Sequence, residues 1–132
     1  MAIQMRKVRL DKIASSTRHL NLAREVTISE SAMAAPRAGQ VIAVRLRGHK
    51  SVYNQLEDPT GRLLELDDGD VIVGVLGSRR ALRGYAGVVP DKIEKGDVLH
   101  LLNTGGVIGR CTSINPEVGP PREVEVLGAV LT

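Results

Sequence analysis

Apolar positions along this chain come in short runs broken by glycine, proline and charge, and the runs differ in how they alternate. Ile42, Val44 and Leu46 alternate with Arg45 and Arg47, and Val124 and Val126 alternate with Glu123 and Glu125. Successive side chains of a strand point to opposite faces, so both stretches predict half-buried strands of an antiparallel sheet. Residues 71–76, Val-Ile-Val-Gly-Val-Leu, are apolar on both faces and predict a central strand covered twice.

Three runs are entered by one phrase: GQVIAV at Gly39, GDVIVG at Gly69 and GDVLHL at Gly96. Glycine permits the positive φ of a tight turn and aspartate hydrogen-bonds its own backbone, so each phrase predicts a turn leading into a strand. The spacings are too irregular for a solenoid. Residues 52–66 predict two strands joined at Asp58-Pro59-Thr60-Gly61, and Gly105-Gly106 opens a strand over 107–114 that the prolines 116, 120 and 121 end. The first 35 residues fit two patterns, and the reading preferred here is a short helix near 11–17 followed by a strand near 19–28.

With 132 residues the chain is one domain, 1–132, large enough to bury a core. That core is aliphatic, because the sequence has no Phe or Trp and only Tyr53 and Tyr85. The predicted fold is therefore mainly β: a small closed or partly open antiparallel β-barrel, or a sandwich, with at most one short N-terminal helix. Residues 1–35 are expected to cover this body or to contact a second chain. A 132-residue barrel has one interior, so the two-faced run at 71–76 predicts a homo-oligomer or a partner protein. No run approaches a membrane span, no apolar stretch follows the basic N-terminal residues, and Cys111 is alone, so a cytoplasmic protein with no membrane association is expected.

Net charge is +3, with ten Lys and Arg against three acids in residues 1–50 and eight against twelve beyond. A net charge this small and the near absence of stacking aromatics argue against nucleic acid. The strand-entry phrases, with GGVIGRC at 105–111 and the proline-rich stretch after it, resemble the small β-barrels that accompany P-loop nucleotide-binding domains. The resemblance implies an accessory or oligomerising module working beside a catalytic domain. The chain has no phosphate loop of its own.

The densest chemistry lies in Gly77-Ser78-Arg79-Arg80-Ala81-Leu82-Arg83-Gly84. Arg79, Arg80 and Arg83, framed by Gly77 and Gly84, can clamp a phosphate or carboxylate, and glycine-bounded amides add to such a concavity. The competing expectation is that these arginines pair with Asp67, Asp68, Asp91 or Glu94. Arg45 and Arg47 would extend the patch if the fold brings them near. Asn103, Thr104, Gly105 and Gly106 form a second candidate, a ligand approach to the backbone or a hairpin with Asn103 left-handed.

His19, His49 and His100 lack metal-ligand spacing, so no metal and no cofactor are expected. His100 is expected on one face with Val98 and Leu102 as a buried, hydrogen-bonded imidazole. Cys111 and Ser113 lack any nucleophile signature, and no catalytic residue is assigned. The leading functional expectation is a non-enzymatic binding or assembly module, self-associating or beside a nucleotide-binding partner. The alternative is a small anion- or phosphate-binding, or catalytic, protein using the arginine loop.

Overall fold

The three glycine-led phrases form one and the same turn in the computed structural model, which describes residues 4–48, 54–80, 85–114 and 119–131. In residues 37–40, 67–70 and 94–97 the fourth N–H donates to the first carbonyl, at 3.2, 3.1 and 3.1 Å. Gly39, Gly69 and Gly96 take the third position at φ +92°, +87° and +92°, a conformation that a side chain would strain. The fourth side chain (Gln40, Asp70 or Asp97) accepts the first residue's N–H at 2.6, 2.9 and 2.8 Å.

Each turn also clasps a neighbouring strand. The glycine N–H donates to the carbonyl of Leu76, Leu46 or Val126, and that residue's N–H returns to the carbonyl of Gln40, Asp70 or Asp97, every bond 2.8 Å long.

In chain order the elements are β1 (Met5–Arg9), β2 (Lys12–Ile13), a 3-10 helix (Ser15–Leu20), β3 (Glu25–Ser29), β4 (Val41–Arg47), β5 (Gln55–Glu57), β6 (Leu63–Glu65), β7 (Val71–Leu76), β8 (Tyr85–Val88), β9 (Val98–Leu101), β10 (Val107–Ile114) and β11 (Glu123–Val130). The fold is mainly β, as expected. Nine strands share one sheet in the order β1-β3-β11-β4-β7-β10-β8, with β2 on β7 and β9 on both β10 and β11. The ladders β11–β4–β7–β10–β9–β11 close a circuit. Some of its ladders span only two residue pairs, so the circuit is an irregular ring.

Three expectations need correction. The sheet is not purely antiparallel, because β7 pairs β10 and β2 pairs β7 in parallel. Parallel pairing needs a long crossover, and the chain between Leu76 and Val107 supplies it. The helix expected near 11–17 is β2 followed by a 3-10 helix over 15–20. Backbone pairing explains the shift: Asp11 and Ala14 donate to the carbonyls of Val71 and Val73, which draws residues 11–14 out along β7. The strand near 19–28 begins only at Glu25, after Asn21 turns at φ 48°.

Two apolar layers result. Ile42, Val44 and Leu46 of β4 and Ile72 and Leu76 of β7 pack inside the ring with Ile108, Val124 and Val126. On the other face, Ala43, Val71 and Val73 are covered by Val8, Leu10, Val26 and Ile28. The two-faced run is thus covered within the chain, by the N-terminal segment. Each buried aliphatic side chain contributes about 1.5–3 kcal/mol.

Apart from the main sheet, β5 and β6 form a hairpin around Asp58, whose carboxylate accepts from the Thr60 hydroxyl (2.7 Å) and the N–H groups of Thr60 and Arg62 (2.9 and 3.0 Å). Where β5 and β11 begin, the buried Arg122 guanidinium donates to Asn54 Oδ1 at 3.2 Å, with Asp68 3.6 Å away.

Gly96→Ala is expected to cost about 1–2 kcal/mol through the positive φ alone, since an added Cβ would meet nothing within 4 Å. The urea midpoint should fall at unchanged m-value. Asp58 is held at about 2, chiefly by the Thr60 hydroxyl and then by the Arg62 and Thr60 N–H groups. A lowered folded value means this contribution is complete above about pH 4 and is lost as pH falls towards about 2. Urea unfolding between these pH values should show a steeper loss in the parent than in Asp58→Asn.

Candidate anion-binding site

Beyond β7 the chain turns at Gly77, whose N–H donates to Ile108, and residue 79 forms a bridge with Gly87 of β8. This fixes Ser78, Arg79 and Arg80 on one side of a cleft of about 440 Å³, with Ala86, Gly87, Val88 and Thr112 opposite. Arg79 Nη1 donates to the Leu102 carbonyl, which anchors the guanidinium while leaving its other donors available. Arg80 is exposed. Arg83 and Gly84 lie outside the described residues, and Gly77 flanks the cleft without lining it.

No described carboxylate lies within ion-pair distance of Arg79 or Arg80. Three of the four acids expected as their partners face other cations. Asp67 and Asp70 face Lys12, Asp68 faces Arg122, and Glu94 faces Lys92 at 3.1 Å. Nor do Arg45 and Arg47 extend the patch. They stand opposite Glu125 and Glu123 across β4 and β11, with Arg47 Nη1 3.9 Å from Glu125 Oε1.

Asn103, Thr104, Gly105 and Gly106 form a hairpin between β9 and β10. The left-handed residue is Gly106, at φ +91°, rather than Asn103, whose Oδ1 accepts the Val107 N–H at 3.0 Å. The hairpin carbonyls are taken by three other elements: Thr104 by Glu57, Gly105 by Ser16 and Gly106 by Val75, at 2.7, 3.0 and 3.0 Å. Thr104 and Gly106 therefore act as joints. Gly106 has no room for a side chain, because a Cβ there would come within 2.2 Å of Ala14 Cβ.

Asn103 and Gly105 line a second cleft of about 570 Å³, with Ser15, Ser16, Arg18 and His19 of the 3-10 helix and Glu57 of β5. Of these five residues only His19 was considered from the sequence, and then as a metal ligand. They come from segments far apart in the chain and meet only because the hairpin docks on both.

The histidine and cysteine offer no nucleophile pair. His100 Nδ1 accepts the Cys111 N–H at 3.1 Å, so this nitrogen is unavailable to the thiol. His100 is hydrogen-bonded as expected, yet it is only half-buried and shares its face with the exposed Val98, while Leu99 and Leu101 point to the core. Burial lowers its pKa, against the opposing pull of Glu123. Among the described residues no cluster of three or more His, Cys, Asp or Glu side chains is arranged to hold a metal ion, and no helix is long and apolar enough to cross a membrane.

Comparison of the chain with protein-family models, with characterised proteins and with solved structures returns no match.

Burial raises the Cys111 thiol above its ordinary value. Iodoacetamide should therefore alkylate it more slowly at about pH 8 than free cysteine. Denaturation should restore the free-thiol rate.

Proposed function

We propose that the chain is a non-enzymatic binding module that holds an anionic group, such as a phosphate or carboxylate, in the cleft beside residues 77–80. One observation carries this reading: two guanidiniums line a cleft whose described walls contain no carboxylate. Guanidinium forks match the geometry of such oxyanions and stay charged at any physiological pH. Ser78 and Thr112 bring hydroxyl groups to the same walls. The expectation of a self-associating module has less support, because the outer face of β7 is covered inside the chain.

Hydrogen bonds to charged groups contribute about 1.5–3 kcal/mol each before ordering costs. Two such contacts leave a free anion bound weakly, with a Kd of about 1 mM. Phosphate at ten times its Kd should stabilise the protein by about 1.4 kcal/mol, a rise of roughly 3–6 °C in Tm. Matched chloride should not reproduce the effect. Arg79→Ala/Arg80→Ala should abolish it, and Arg80→Ala alone should weaken it without lowering the unliganded Tm, because Arg80 is exposed. A phosphate response retained by the double variant would exclude this cleft.

A further inference from the structure

The two clefts are neighbours. Val107 lines the one beneath the 3-10 helix, and its Cγ1 lies 2.9 Å from the point where a Gly77 Cβ would stand, directly before Ser78 of the other. Arg79 reaches the same partition from the far side, since its Nη1 bonds the carbonyl of Leu102, next to Asn103. Strand direction agrees. Val107 stands opposite Val75 in the parallel ladder, so β7 ends and β10 begins at one end of the ring. Arg18 and His19 are exposed on one side of this partition, and Arg79 and Arg80 stand on the other.

Resting on the reading above, we infer that the ligand is a small molecule with at least two anionic groups, one in each cleft, crossing the rim at Val107. The group beyond the rim lies towards Arg18, His19 and the hydroxyls of Ser15 and Ser16. Glu57, the one carboxylate among the described residues lining that cleft, stands against it and limits how much charge the site accepts. Binding of the first group makes binding of the second intramolecular, so affinity rises without new contacts at the first cleft.

The probes are orthophosphate and tripolyphosphate, titrated by calorimetry at fixed ionic strength. Tripolyphosphate should bind the parent at least about tenfold more tightly than orthophosphate. Arg18→Ala/His19→Ala should remove that gain and leave orthophosphate affinity unchanged. Both side chains are exposed, so the variant should retain the parental Tm. Glu57→Gln should strengthen tripolyphosphate binding alone. Lys7→Ala/Arg9→Ala, which removes two cations from β1, should preserve the gain.

The two-cleft inference is overturned if tripolyphosphate binds no tighter than orthophosphate. It also falls if the gain survives Arg18→Ala/His19→Ala or is lost equally in the β1 variant. In each of these cases orthophosphate binding that depends on Arg79 and Arg80 would leave the single-cleft reading standing. If neither anion binds the parent, both readings fall.

Discussion

The ring depends on a pair of backbone hydrogen bonds repeated at three places. In each turn the glycine N–H and the next carbonyl address one residue of a neighbouring strand, so that residue is held from both of its polar groups. The arrangement is reciprocal between β4 and β7: the turn before β4 holds Leu76 at the end of β7, and the turn before β7 holds Leu46 in β4. A strand slipped by one residue turns its whole apolar set to the other face. Here that would carry Ile42, Val44 and Leu46 out of the inner layer, and the clasps prevent it. The third clasp, on Val126, fixes the strand that closes the circuit.

The parts of this fold legible in the sequence were those encoded locally. The strand at 71–76, the strand at 107–114, the alternation of β4 and β11 and the hairpin around Asp58 each follow from residue order within a few positions. The N-terminal segment did not, because residues 11–14 are drawn into strand geometry by the carbonyls of β7, sixty residues away. Strand β8 was missed for a similar reason. Tyr-Ala-Gly-Val has little pattern of its own and is held by β10 and by the Tyr85 hydroxyl on the Pro120 carbonyl. Of the candidate site, Arg79 and Arg80 were visible as local charge density. The cleft beneath the 3-10 helix was not, since Ser16 and Asn103 meet only through tertiary hydrogen bonds.

Charge placement connects the scaffold to its chemistry. Arg45 and Arg47 face acids across the sheet, Lys12 closes over the 67–70 turn, and Glu30 Oε2 lies 2.5 Å from Lys95 Nζ and 3.7 Å from Arg6 Nη1. Glu30 is held below its ordinary value first by the hydrogen bond from Lys95. Structural ion pairs thus engage Arg6, Lys12 and Arg47 of the basic first half of the chain. They also occupy the acids that would otherwise neutralise Arg79 and Arg80.

The covering of β7 from both sides has a further consequence for how the protein is made. The outer layer needs Leu127 of β11 as well as β1 and β3, and the inner layer needs Val124 and Val126 of the same strand. Neither layer can be completed until residues 123–130 have left the ribosome, and contacts so distant in sequence form slowly. During synthesis residues 71–76 are therefore an uncharged, β-branched segment with incomplete cover on both sides, the kind of stretch that pairs with copies of itself. For this chain the interval between translating β7 and β11 is the period of greatest exposure to aggregation, and slower elongation across residues 77–122 would lengthen it.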